Sequence, residues 1–547
     1  MHRLAVLRRA LAGGRLRRAE AAFLGFGISE YGVWVVVLVF AFRRGGTTAA
    51  AVIAAVQLFP ASAVAPLAAR LIDGRGAAAT LWLGYMIQAG SLGLTAGLML
   101  AGAPVAAVYA GAVLAASAVT FTRPAHSALL PALVDTPAQL TAVNAVTGWV
   151  ENLTLLAGPA LASIVLGLAS PGWAVATFSL VVAVAALIVA PLLGIETVEE
   201  EQDADEEGSG SLREVVREAP GAVPALAMLT AEYAVLGAQD VLEVVLAALV
   251  FGLGAGGAGY LGAAFGVGGL AGAVLALTLV GRHRLARPLL LAGAAWGGAF
   301  VLLGAAPAQG VALGLFALAG AGRTVLDVGG RTILHRTVPR ALHGRVFGAL
   351  EGVETFGLAI GSLMVPVLVA LSGARGAVTI VGGLLVVVPL LTMPMLNRIE
   401  RAAPALDAEV AVLRGVPLFA PLGAPALEDL ARALERLEVP AGEAVIHEHE
   451  SGSRYFVVLA GALEVTIDGA HIRTIGPGDG FGEIALLRDG VRTATVTADT
   501  DASLYALERA PFLEAVTGSR QAQRAADQVV SALAGVGGGD ESVAAPE

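Results

Sequence analysis

Apolar residues run almost unbroken from residue 19 to residue 397. Short alternating apolar and polar stretches take over from about residue 413. A hydrocarbon core about 30 Å thick needs about 20 apolar residues in helical form. Twelve stretches of that length are predicted: 19–42, 47–70, 77–101, 104–123, 139–168, 173–194, 221–250, 255–280, 286–305, 309–334, 347–371 and 376–396. The first follows a run of arginines, as a secretion signal would. It is too long for a signal's apolar core, lacks a small-residue cleavage site and precedes eleven more spans, so it reads as a helix. Residues 196–218 interrupt the series with Glu199, Glu200, Glu201, Asp203, Asp205, Glu206, Glu207 and a Gly-Ser run. Such a segment buries too little surface to fold and reads as a linker between six helices and six.

Composition agrees with this pattern. The chain is 56% hydrophobic and 14% charged, against about 25% charged for a soluble protein. Its whole surface therefore cannot face water. The net charge of −10 speaks against a nucleic-acid partner, which asks for a basic face. There is no Cys, which removes disulfides and thiolate metal sites. Every basic residue is Arg, a bias of the kind a GC-rich bacterial genome imposes. Arginines set the orientation. Arg3, Arg8, Arg9, Arg15, Arg17 and Arg18 precede the first span, and Arg70, Arg75, Arg123, Arg213, Arg217, Arg282, Arg284, Arg287, Arg331, Arg336, Arg340 and Arg345 fall in even-to-odd connections. The other connections hold only Arg43, Arg44 and Arg375. Both termini are expected to be cytoplasmic, in a multi-pass cell-membrane protein.

Ionisable groups in lipid cost about 2.5–3.5 kcal/mol each on insertion scales. Glu30, Glu151, Glu232, Asp240, Glu243, Arg323, Asp327, Glu351 and Glu354 all fall within spans or at their ends. Arg323 and Asp327, four apart, can neutralise each other on one helix face. Glu30 and Asp240 lie in the first helix of each group and are candidates to carry a coupling proton. Glu151 is expected to cap its helix, and Glu351 and Glu354 to be solvated near a loop.

The two groups of helices echo each other. Arg123-Pro-Ala-His-Ser-Ala-Leu-Leu-Pro131 follows the fourth span, and Arg331-Thr-Ile-Leu-His-Arg-Thr-Val-Pro339 the tenth. Gly262 with Gly266, Gly268 with Gly272, and Gly293 with Gly297 are spaced for close helix packing. Repeated halves are how secondary transporters build a central site. On Phe121–Pro131 and the segment running from Arg331 to Gly344-Arg-Val-Phe-Gly348, residues 15–400 resemble the major facilitator superfamily, in its enterobactin-exporter and macrolide-efflux-like branch. The signature between spans two and three is degenerate, Arg70-Leu-Ile-Asp73-Gly-Arg75, and keeps Asp73 as a gating candidate. The resemblance implies alternating access and proton-coupled export of a small molecule.

In the C-terminal part, 413–437 has helical periodicity. Residues 437–508 read as short strands of a β-roll, and 509–534 as a helical tail. Gly480-Phe-Gly-Glu-Ile-Ala-Leu-Leu487, followed by Arg492-Thr-Ala-Thr-Val496, carries chemistry. Gly482 lets backbone approach a ligand. The helix start beside it offers amides to an anion, Glu483 can accept from a sugar hydroxyl, and Arg492 can hold a phosphate. This spacing resembles the phosphate-binding cassette of cyclic nucleotide-binding domains, with the upstream run from Val445 to Gly461 also matching. His449 and Val491 depart from the usual Gly and Pro.

That resemblance implies that Glu483 binds the ribose 2′-hydroxyl. Arg492 binds the cyclic phosphate with the amides of Gly482, Ile484 and Ala485, and Thr493 touches phosphate or a guanine base. The base lid would come from a helix bearing Arg520, Gln521, Arg524 and Gln528. His447 and His449, two apart on a strand, have no partners that would make a metal site, and no catalytic constellation stands out.

The expected architecture is an α-helical membrane protein with twelve transmembrane helices in two six-helix halves, plus a soluble α+β domain with a β-roll and C-terminal helices. The divisions are 1–18, a basic cytoplasmic N-terminus; 19–195 and 221–397, the transporter halves; 196–220, an acidic linker; 398–412, a second linker; 413–535, the nucleotide domain; and 536–547, a disordered tail. The expected partners are a small-molecule solute, a regulatory cAMP or cGMP and the lipid bilayer. The chain is not expected to be an enzyme or to use a cofactor. The expected function is secondary transport modulated by cytoplasmic nucleotide, with a membrane-tethered sensor that moves no solute as the alternative.

Overall fold

A computed structural model describes residues 14–134, 137–195, 217, 222–254, 256–279, 284–305, 308–338, 343–402, 407–420, 422, 424–488 and 490–517. The expected acidic linker (apart from Arg217 at its end), the basic N-terminus up to residue 13 and the tail beyond residue 517 lie outside these residues. The chain divides into two compact units, Met1–Ala402 and Ala403–Glu547.

The first unit is helical: α1 (Gly14–Arg75), α2 (Ala77–Leu100), α3 (Val105–Leu129), α4 (Pro137–Leu168), α5 (Pro171–Val189), α6 (Val223–Leu249), α7 (Gly257–Ala276), α8 (Ala286–Leu303), α9 (Gln309–Thr337) and α10 (His343–Ala402). Among the described residues, nine helices are long and apolar enough to cross a membrane. The two longest are each broken at glycine. Gly46 (φ 64°) follows Gly45 (φ −149°, ψ 22°) in α1, and Gly373 (φ 71°) interrupts α10. Only glycine adopts positive φ without Cβ strain, so each long helix is broken there into two, near the expected boundaries at 43–46 and 372–375. Large apolar side chains point outward, with Leu168 84% and Leu371 80% exposed. Outward apolar surface on this scale does not suit contact with water.

Helices α1–α5 pack on one another, as do α6–α10; α4 meets α7, and α1 meets both α6 and α10. The three glycine pairs lie at these close approaches. Gly262 and Gly266 face Pro159 and Leu156 of α4, Gly268 and Gly272 face Ala317 and Ala321 of α9, and Gly293 and Gly297 face α10. Small residues let backbones approach, which is where dispersion contacts accumulate.

The second unit begins with α11 (Asp407–Gly415) and α12 (Ala424–Arg432), so the helical periodicity expected over 413–437 resolves into two short helices. Eight strands follow: β1 (Glu435–Val439), β2 (Ala444–Ile446), β3 (Arg454–Ala460), β4 (Leu463–Ile467), β5 (Ala470–Ile475), β6 (Gly480–Phe481), β7 (Thr495–Ala498) and β8 (Ala502–Glu508). They form two antiparallel sheets, β1-β8-β3-β6 and β2-β7-β4-β5. Phe456, Val458, Leu463, Ile475, Phe481 and Leu504 belong to one buried cluster drawn from both sheets. Asp468-Gly469 joins β4 to β5 with positive φ at both residues, the two-residue turn whose twist matches a hairpin. A five-residue helix, α13 (Glu483–Leu487), follows β6, and α14 (Arg509–Thr517) closes the described chain.

Candidate functional site

The cassette lies in the second unit, from β6 through α13 to β7. Gly482 takes φ 92°, ψ 3° and hands the chain from β6 to α13. The amides of the first helical turn, including Ile484 and Ala485, have no acceptor within the helix. Glu483 opens α13 with its side chain buried, and its Oε2 has no hydrogen-bond partner. Burial pushes its carboxyl up, against a backbone hydrogen bond and the pull of Arg473 and Arg492. An orphaned buried oxygen costs about 1–3 kcal/mol. It marks a place where a ligand hydroxyl would be welcome.

Arg492 is only 5% exposed. Its guanidinium donates from Nη1 to the Gly482 carbonyl at 2.8 Å and from Nη2 to the Arg454 carbonyl at 2.7 Å. Burial lowers its pKa and the Glu483 charge opposes that. The loop before β3 holds it from the other side: His449 N–H donates to the Arg492 carbonyl, and Arg492 N–H to that of Glu450. A Cβ at Gly452 would run into the guanidinium. Thus a cation is fixed beside a helix start and a buried carboxylate, a set that suits a phosphate joined to a ribose. Thr493 is exposed at the rim. Arg520, Gln521, Arg524 and Gln528 lie outside the described residues.

Two features escape sequence reading. Arg473 on β5, half-buried, acts electrostatically on Glu483; the only signal was an arginine on a strand near the cassette. Tyr455 on β3 is buried, and burial together with the Glu483 and Asp479 charges raises its pKa. It stacks on Phe512 of α14 at 4.8 Å and meets Phe419 edge-on at 5.5 Å. His447 and His449 are corrected: β2 ends at Ile446, and His449 sits in a turn at φ 68°. A left-handed backbone there accounts for a position where glycine would serve.

In the first unit the candidate charges find partners other than those expected. Arg323 and Asp327 do not pair with each other. Arg323 Nε lies 3.6 Å from buried Glu232, while Asp327 accepts from Arg331 Nε at 3.0 Å. Glu354 is not solvated but pairs with Arg331 at 2.5 Å, and Arg331 also donates to the Tyr233 hydroxyl. Glu151 caps nothing; it and Glu30 both bind Arg123, at 2.9 and 2.8 Å. Arg123 on α3 thus joins α1 and α4, and Arg331 on α9 joins α6 and α10. The sequence echo becomes a matching pair of clamps. Asp240 accepts from Trp34 Nε1 at 3.0 Å, linking α6 to α1. The side chain of Asp73 lies outside the described residues.

Residues 436–518 match the family model described as "Cyclic nucleotide-binding domain". A cyclic nucleotide-gated potassium channel of Mesorhizobium japonicum is 40% identical over 101 residues, 18% of this chain and 28% of the channel. A cAMP-dependent protein kinase regulatory subunit of Yarrowia lipolytica is 34% identical over 95 residues, 17% of this chain and 25% of that protein. The chain therefore spans about a quarter of the length of the curated relatives it matches. The cAMP co-crystal structure of the regulatory domain of Toxoplasma gondii PKA is similar at 28% identity, covering 25% of this chain and 55% of that chain, with a TM-score of 0.22. The family-model match and the sequence relatives show that the second unit carries a cyclic nucleotide-binding domain.

Proposed function

We propose that the chain is a secondary transporter, arranged as twelve spans in two halves of the major facilitator type, whose flux of a small molecule is modulated when its C-terminal domain binds cAMP or cGMP. The nucleotide reading is carried by the unpartnered Oε2 of Glu483 beside the buried Arg492 guanidinium. Arg492 would hold the cyclic phosphate, Glu483 the ribose 2′-hydroxyl, and Thr493 and Arg473 would meet what extends from them. The transport reading is supported by the matching clamps on Arg123 and Arg331 in two helix groups that meet through glycine-lined contacts. Glycine turns at Gly46 and Gly373, together with the charged α6, bring the nine apolar helices to the twelve spans of this reading. Two similar halves around a shared interface suit a rocking mechanism.

A second reading, a tethered nucleotide sensor without flux, is served by one fact. The relatives and the structure named above cover no more than a quarter of this chain. Flux separates the two readings. Vesicles holding the full chain, loaded with a panel of fluorescent efflux substrates, should move at least one of them faster than empty vesicles. Nucleotide on the side bearing the soluble domain should alter that rate in the wild type and not in Arg492→Ala. No flux for any substrate favours the sensor; flux that ignores nucleotide ends the modulation reading.

A further inference from the structure

A second polar cluster lies inside the first helix group, beside the Arg123 clamp and without an ion pair to it. Glu20 on α1 is 5% exposed and His126 on α3 is 1% exposed. His126 Nε2 lies 3.7 Å from Glu20 Oε1, too far for a hydrogen bond. His126 Nε2 and Glu20 Oε2 both lack any partner, as does the buried Tyr85 hydroxyl of α2, whose ring lies within electrostatic reach of Glu20. Thr147 of α4 donates to Glu20 Oε1 at 2.7 Å. The Phe23 ring stacks flat on the imidazole at 4.0 Å and 10°, covering one of its faces.

Four helices thus converge on two titratable groups that face each other with unused hydrogen-bonding atoms. The neighbouring charges are accounted for. Arg123, three residues before His126 on α3, is engaged by Glu30 of α1 and Glu151 of α4. Glu151 is also within reach of Glu20. The only cationic group within ion-pair distance of Glu20, among the described residues, is the imidazole itself.

Glu20 keeps one unpartnered oxygen and faces an imidazole nitrogen without a partner; with the imidazole neutral and its own hydrogen on Nδ1, one added proton lets the two groups bond. Its arrival forms a bond to Nε2, or to a carboxyl oxygen. The group that carries it then donates to the other after an approach of a few tenths of an ångström. We propose that Glu20 and His126 form one proton-binding site, holding a single shared proton within the α1–α4 bundle. The site is defined by titration and not by flux, so its failure and that of the transport reading are seen separately.

The test is infrared difference spectroscopy on the full chain in lipid, stepped from mildly alkaline to mildly acidic pH. A protonated-imidazole band and a carboxyl C=O band should appear with a common midpoint, their amplitudes together accounting for one proton. His126→Gln should delete the first and move the second. Glu20→Gln should delete the second and move the imidazole midpoint by about one pH unit or more, the mark of a coupled pair. Should Glu20→Gln fail to fold, Thr147→Val removes only the hydroxyl donor and should still move both midpoints together. Imidazole midpoints unchanged in Glu20→Gln, or in Thr147→Val where Glu20→Gln does not fold, would overturn the proposal, as would a wild-type spectrum in which neither band belongs to these residues.

Discussion

At the scale of single residues, the cassette sets a buried acid against a buried base, and each has a distinct cost. Arg492→Ala removes a charge-assisted contact worth about 1.5–3 kcal/mol. Nucleotide affinity should then fall by roughly 10- to 150-fold in calorimetry on the full chain. Glu483→Gln separates binding from stability. Burial raises the Glu483 carboxyl above its ordinary value. The folded state therefore holds this proton at pH values where the unfolded state has lost it, and stability falls as pH rises through that window. At neutral pH the buried carboxylate is a burden that the amide lacks. Without nucleotide, Glu483→Gln should melt higher than wild type at neutral pH, and the gap should close on acidification. With nucleotide it should gain less from the ligand than wild type does. A variant that melts no higher at neutral pH would show that the carboxylate is already compensated. Gly482, Glu483 and Arg492 could be singled out in the sequence because their motif resembles a cyclic nucleotide cassette. In the structure, bonds from Arg492 to the Gly482 and Arg454 carbonyls set the guanidinium beside the helix start. The partners of Glu30, Glu151, Asp327 and Glu354 were not legible, because nothing in the spacing tells which arginine on another helix will reach them. Local reasoning offered Arg323 to Asp327 at four residues. Arg331 stands at the same spacing on the other side and took the bond.

At the scale of elements, glycines decide how closely helices meet. The breaks in α1 and α10 fell where the apolar pattern lapsed. The direction in which each glycine faces could not be read from the sequence. A helix of small residues offers several possible faces, and only packing selects one. Gly266 of α7 faces the backbone of Leu155 and Leu156 in α4, with room for no Cβ. Ser163 of α4 donates to the Gly256 carbonyl just before α7 at 2.6 Å, along the same seam. Since α4 and α7 belong to different helix groups, Gly266→Val should keep them from closing here. The variant should insert and still bind nucleotide, because the cassette lies in a separate unit. Its flux should fall at least tenfold in the vesicle assay, corresponding to about 1.4 kcal/mol lost from the closed arrangement. Wild-type flux in Gly266→Val would mean that transport does not require this seam to close. In the second unit the β-roll was readable from its alternation, and the division of 413–437 into two helices was not. Its apolar periodicity continues across the turn at Pro417–Pro425, where Phe419 leaves the helical path to pack on Tyr455 and Phe512.

At the scale of the whole molecule, the question is whether two units that fold around separate cores exchange free energy. Thermodynamic linkage makes this testable from either end. If nucleotide changes the affinity for a transported solute by some factor, solute must change the affinity for nucleotide by the same factor. A ligand that prefers neither state of the transporter shifts nothing, however tightly it binds. The measurement is nucleotide affinity of the full chain in lipid nanodiscs, with and without a saturating solute identified in the flux screen. A tenfold change in nucleotide affinity corresponds to about 1.4 kcal/mol of coupling. Solute affinity measured with and without nucleotide should then change tenfold in the same sense. Gly266→Val should shrink both changes, because a transporter confined to one arrangement has no second state for nucleotide to favour. Arg492→Ala should remove the effect of nucleotide on solute affinity at concentrations that saturate only the wild type. Equal nucleotide affinities with and without solute, in a preparation that demonstrably transports it, would mean that the domain binds its ligand without informing the helices. The regulatory part of the proposed function would then fall, while nucleotide binding and transport would each stand on their own measurements.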